Sequence, residues 1–337
     1  MIDGGVVSAV EDVRRLMEAR QYRDVVELAS EFDRQQIVDE PELVLPIASS
    51  LQHLFRHREA RALLDSSAES IRASYSPADT RRWQNLFASN LIEEGNLVEA
   101  KNLIEACLSS AEQADHHRMI ASSLNNLGVV SSLLGDVEDA VRQFTRSIAV
   151  WQRRGYRAGV GRAHHNLGLV LTEWGRYDEA IAHFSLACDY FALVGTPEES
   201  TFTSFERAAL LLEIGDYELA ESLATAALNR AGQLGSLILT SAARKVLGKI
   251  VLRRRGPDEA RSLLVSAARG AVEAGDRLLI AEVHEELTVL ELLAGRSERA
   301  SRHKQVAVEH FSSLGAVKRV GRMLRRIDEL LKDEPKS

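Results

Sequence analysis

Seven alanines, Ala60, Ala100, Ala140, Ala180, Ala220, Ala260 and Ala300, recur every forty residues without a slip. A period of this size marks a stack of like units, each burying its apolar face only against its neighbours. A second comb of the same period, Gly155, Gly195, Gly235, Gly275 and Gly315, interleaves with turn glycines at Gly95, Gly135, Gly175, Gly215 and Gly295. Each unit thus carries two punctuation marks, where glycine supplies the left-handed geometry that ends a helix. Between the marks, apolar residues recur at three and four, as in Leu124, Leu127, Gly128 and in Ile181, Phe184, Ala187, so each unit holds two helices.

Composition agrees: aromatic residues are 5% of the 337 and prolines number six, a poor basis for strands. The spacing predicts helix pairs over 6–33, 41–75, 77–114, 115–154, 155–194, 196–234, 235–274 and 275–314, then one helix over 316–332. Thr196-Pro197-Glu198-Glu199 predicts a capping box, with Thr196 as N-cap and Glu199 reaching back to it. The first two pairs are irregular, since Arg20 stands where the comb expects alanine and Gln35 to Pro41 breaks the register. The expected organisation is an N-terminal cap or docking module over 1–76, six regular repeats over 77–314, and a capping helix with its tail over 315–337. In that last helix Val317, Val320, Leu324, Ile327 and Leu331 are expected to form the buried stripe, with Lys318, Arg319, Arg322, Arg325 and Arg326 on the solvated face.

The net charge of −7 arises from 49 acidic and 42 basic residues with no block of one sign, which argues against a direct nucleic-acid partner. Cys107 and Cys188 lie 81 residues apart within helical pattern, as buried thiols of a reducing cytoplasm would. Met1 to Val10 lacks the basic start and apolar core of a secretion signal, and no run of eighteen apolar residues occurs, so no membrane role is expected.

Leu124-x-x-Leu127-Gly128 with Ala140 and Phe144, Leu167-Gly168 with Tyr177, Ala180 and Phe184, and Leu247-Gly248 with Ala260 and Leu264 resemble the tetratricopeptide pattern. The resemblance is clear over 77–314 and weak over 1–76. Departures are the forty-residue period, Leu124, His164 or His284 in place of the first-helix Trp, and the missing terminal Pro. The longer period is similar to kinesin light chain and to the sensor arrays of bacterial transcriptional regulators and peptide-pheromone receptors. It implies an all-α, right-handed superhelical solenoid of antiparallel helix pairs whose first helices line a concave groove.

Carried over residue by residue, the resemblance places Arg82 and Asn85, Asn125 and Asn126, Arg162, His165 and Asn166, Phe202 and Phe205, and Lys245 and Lys249 on that groove as a peptide-binding surface. Asn offers a donor and an acceptor, so Asn126 and Asn166 suit a peptide backbone of any sequence. Arg82, Arg162, His165, Lys245 and Lys249 make the middle basic, which favours an acidic or carboxylate-ended peptide, while Glu282, Glu285 and Glu286 make the far end acidic.

No constellation points to catalysis or a cofactor. His116-His117, His164-His165, His284 and His310 lack metal-ligand spacing, and Val283-His284-Glu285-Glu286 lacks the second His of a zinc motif. Gly159-Val160-Gly161 follows no strand and reads as a loose inter-helix turn. Trp151, Phe191 and Phe311 share one repeat position and read as packing. The expected function is a non-enzymatic protein- or peptide-binding adaptor, compatible with a homo-oligomer. The alternative is the sensor arm of a bacterial signalling or transcriptional regulator whose output domain lies on another chain.

Overall fold

A computed structural model describes residues 4–332 except Arg20, Phe55 and Gly315, and leaves the side chains of residues 4–7, 72, 74, 317 and 318 undescribed. Expectations for Arg20, Gly315 and the side chains of Val317 and Lys318 thus lie outside the described residues. The chain divides into two compact units, Met1–Arg154 and Gly155–Ser337. All regular structure among the described residues is helical.

The first unit holds α1 (Gly4–Glu18), α2 (Tyr22–Ala29), α3 (Arg34–Val38), α4 (Pro41–His53), α5 (His57–Ser66), α6 (Ala68–Ser74), α7 (Pro77–Glu93), α8 (Leu97–Gln113), α9 (His117–Leu134) and α10 (Val137–Arg153). Two departures from the expected pairing fall before residue 77. The linker contains the short helix α3, and the second helix expected within 41–75 is split into α5 and α6. The split has a side-chain cause, because the Trp83 indole N–H donates to the Leu64 carbonyl and to Ser67 Oγ, each at 3.1 Å. Ser67, itself buried, donates to the same carbonyl at 2.9 Å. From residue 77 the pairing follows the predicted boundaries.

The second unit holds α11 (Arg157–Glu173), α12 (Tyr177–Val194), α13 (Pro197–Glu213), α14 (Tyr217–Gln233), α15 (Leu237–Arg255), α16 (Pro257–Ala274), α17 (Arg277–Leu293), α18 (Ser297–Ser313) and α19 (Val317–Lys332). Gly159-Val160-Gly161 is not a loose turn: it lies in the first turns of α11 and is buried. A β-carbon on Gly161 would come within 2.9 Å of Phe191, so glycine here makes room for that ring. The Thr196 capping box also fails to form, because the Thr196 hydroxyl turns back to the Phe191 carbonyl at 3.4 Å.

All seven comb alanines are buried, each no more than 2% exposed. The repeat register is therefore a packing register, set where paired helices touch. Three glycines complete it: β-carbons on Gly128, Gly168 and Gly248 would lie 2.7–2.8 Å from Phe144, Phe184 and Leu264 of the paired helix. In the last helix the buried stripe is rotated from expectation. Met323 and Ile327 are buried and Val320 packs beside them, whereas Leu324 and Leu331 are exposed.

Within each unit the first helices of successive pairs approach one another, α7 with α9 in the first unit and α11, α13, α15, α17 and α19 in turn in the second. Second helices of successive pairs make no comparable approach among the described residues. First helices therefore form the inner layer of each unit, and the predicted site residues all sit on them.

Candidate functional site

In the first unit the inner face is polar and internally bonded. Asn85 on α7 donates from Nδ2 to Ser122 Oγ at 3.0 Å and accepts at Oδ1 from Asn126 Nδ2 at 3.1 Å. Both partners are on α9, so these amides join successive first helices. All three side chains, with neighbouring Asn125, are half-buried and keep part of their surface open. Arg82 is exposed and its guanidinium lies 3.6 Å from Asp79.

In the second unit Arg162 is exposed and Asn166 half-buried on α11. Between them His165 is only 8% exposed, with Nδ1 3.0 Å from Thr203 Oγ1. The Thr203 hydroxyl proton is already engaged by the Glu199 carbonyl at 2.8 Å, so His165 Nδ1 is the donor. Burial lowers the His165 imidazole to about 4, leaving it neutral near pH 7. It therefore adds no charge to the face, contrary to the expectation from sequence. Phe205 is also misplaced by sequence: at 1% exposure it belongs to the core. Phe202 is half-buried, its ring 4.8 Å from that of Phe205 and 5.2 Å from that of His165.

The lysines expected to read an acidic peptide are engaged within the chain. Lys245 Nζ lies 2.5 Å from Glu282 and Lys249 Nζ 2.8 Å from Glu213. Glu282 is paired a second time by Arg319 of α19, and Arg326 spans Glu285 at 3.2 Å and Glu286 at 2.9 Å. The inner face thus alternates in sign helix by helix: acidic on α13, basic on α15, acidic on α17, basic on α19. Burial opposes ionisation of Glu282, yet Lys245 and Arg319 hold it at about 2. Burial pushes Glu206 above the usual carboxylate range against the pull of Lys245.

Sequence reading missed these inter-helix pairs, although the signal was present. Partners on adjacent first helices fall 37 residues apart, as in Asn85–Ser122, Lys245–Glu282 and Glu282–Arg319, or 41 apart, as in Asn85–Asn126 and Glu285–Arg326. In a forty-residue array those offsets are three short of one period and one beyond it.

The rejected histidines find different partners. His164 and His183 face each other across α11 and α12 with Nδ1 atoms 2.8 Å apart, and His284 and His303 repeat the arrangement on α17 and α18 at 3.0 Å. Among the described residues no group of three His, Cys, Asp or Glu side chains is placed to hold a metal ion. Cys107 and Cys188 are free thiols, both raised by burial above the usual thiol value. Among the described residues no helix is long and apolar enough to cross a membrane.

No curated protein matches the chain in sequence. Solved structures are similar in fold over nearly its whole length. One is a Rap protein complexed with competence and sporulation factor, 12% identical, covering 97% of each chain with a TM-score of 0.68. Another is NprR in complex with its cognate peptide NprX, 15% identical, covering 98% of this chain and 99% of that one, TM-score 0.61. A third is a signal transduction ATPase with numerous domains, bearing a tetratricopeptide repeat sensor, from Pyrococcus horikoshii. It is 15% identical with a TM-score of 0.61, and the match covers 97% of this chain but 48% of that one. The tetratricopeptide repeat family matches residues 79–153 and 119–191. Residues 79–191 thus match the tetratricopeptide repeat family, and the helices on either side continue the same all-α fold.

Proposed function

We propose that this protein is a non-enzymatic peptide- or protein-binding module that presents the inner faces of its first helices to an extended segment of its partner. The observation that carries the reading is the amide chain Asn85–Asn126 with Ser122, half-open on the inner layer. Amides held in place by one another are pre-oriented, so a peptide bond pairing with their remaining lone pairs and N–H groups loses little further side-chain entropy. Successive helices about 8–10 Å apart would meet roughly every third residue of an extended chain. Asn166 offers the same group in the second unit. An acidic segment finds little support on this face, since His165 is neutral, both lysines are paired and Arg82 lies beside Asp79.

The solved relatives in fold with bound peptides support this reading by analogy. A sensor arm of a signalling regulator is the second reading, favoured by the similarity to the sensor-bearing ATPase. The test is affinity capture from native lysate followed by titration of the recovered partner's segment against wild type and Asn126→Ala. The variant should bind about 2- to 10-fold more weakly, with a melting temperature lowered only by the loss of the one hydrogen bond to Asn85. Equal affinity would sink the role of this face.

A further inference from the structure

On the inner face of the second unit Glu206 and Glu213 of α13 and Glu282, Glu285 and Glu286 of α17 stand among cations of α15 and α19, and Glu213, Glu282, Glu285 and Glu286 each have a cation within 3.2 Å. Glu206 has no ion pair or hydrogen bond among the described residues. The cation that acts on it most strongly is Lys245, which is already committed to Glu282. Glu206 is half-buried, so its carboxylate is partly stripped of water without being sealed. An ionised carboxylate in such a place is costly unless a cation completes it.

One turn earlier on the same face of α13 stands Phe202, also half-buried, its ring braced by Phe205 and His165. Residues four apart on a helix are neighbours on its surface. An aromatic ring beside a carboxylate offers a cation two attractions at once, the ring quadrupole and the opposite charge.

We propose that Phe202 and Glu206 form a subsite for a cationic group of the bound peptide, a Lys or Arg side chain or its N-terminal amine. This rests on the peptide-binding reading and reverses the charge preference expected from sequence. It follows that affinity falls on acidification, because protonating Glu206 removes the charge that recognises the ligand.

The probe is a synthetic bead library of random heptapeptides screened against the labelled full-length protein, in an N-acetylated and a free-amine form. Wild type should enrich Lys or Arg at one position of the acetylated library, and the best hit should bind Glu206→Gln about 10-fold or more weakly. Enrichment confined to the free-amine library and lost with Glu206→Gln would assign the subsite to the N-terminus. Phe202→Leu should weaken the same hits while Asp/Glu-bearing control beads are unaffected. Enrichment of Asp or Glu, or a Lys/Arg preference that persists in Glu206→Gln, would overturn the subsite while leaving peptide binding intact. Wild type binding no bead in either library would overturn both.

Discussion

Gly168 and Phe184 interlock: a β-carbon on Gly168 would sit 2.8 Å from Cδ1 and Cε1 of the Phe184 ring, on the helix paired with its own. Gly232, also helical, has nothing within 4 Å of its absent β-carbon. The same substitution should therefore have opposite signs at the two sites. Gly168→Ala must displace a buried ring and should destabilise by about 1–3 kcal/mol. Gly232→Ala meets open space and gains helix propensity, so it should stabilise by up to about 1 kcal/mol. Urea unfolding of both variants checks this, and a neutral Gly168→Ala would mean the helices are not this close.

Three imidazoles are held neutral by the fold. His164, His165 and His284 are lowered to about 4, by burial first and, at His164 and His284, by the facing His183 and His303. Unfolded imidazoles titrate near about 6.5. Between those values the unfolded chain binds protons that the folded chain refuses. Their stabilising contribution is thus complete above about pH 6.5 and is lost as pH falls toward 4. The melting temperature should be lower at pH 5 than at pH 7, and an NMR titration should find these three rings still neutral at pH 5.5. Titration of any of them near 6.5 would contradict the burial.

Arg326 holds the last helix to α17 through two carboxylates, Glu285 and the nearly inaccessible Glu286. Arg326→Ala strands both acids side by side and should cost about 2–3 kcal/mol. The effect should be local, so hydrogen exchange should accelerate over 317–332 and leave α11 to α14 unchanged. Uniform acceleration across the unit, or none, would show that α19 is not held this way.

Glu291 is 1% exposed and joins three segments: Arg261 of α16 binds both its oxygens at 2.5 and 3.1 Å, and Arg296 approaches at 2.7 Å. Glu291→Gln keeps the shape and loses the charge, which should cost about 1.5–3 kcal/mol. Glu291→Ala leaves two guanidinium groups facing a void and should cost about 3–5 kcal/mol. A Glu291→Gln variant as stable as wild type in chemical denaturation would show that the charge itself contributes nothing.

The helix pairing after residue 77, the alanine comb and the recurring Gly128, Gly168 and Gly248 were all legible in the sequence. Each is a local pattern repeated at a fixed period, and repetition makes the meaning of one position readable from its copies. The region before residue 77 has no such copies, and there the division of α5 from α6 depends on Trp83 reaching back to Leu64 and Ser67. The candidate site residues fall on first helices, where the resemblance put them, because the forty-residue period fixes which helix each belongs to.

The sequence by itself determined which residues recur, and hence the helices, their partners and the layer that each faces. Only the tertiary structure decided the charge state and company of those residues. His165 is neutral because burial penalises its cation, Phe205 belongs to the core because its ring is enclosed by the neighbouring apolar side chains, and Lys245 and Lys249 are neutralised because Glu282 and Glu213 lie on adjacent first helices. Such pairings depend on side-chain atoms meeting within about 3 Å across a helix interface, a distance far finer than any spacing along the chain can specify.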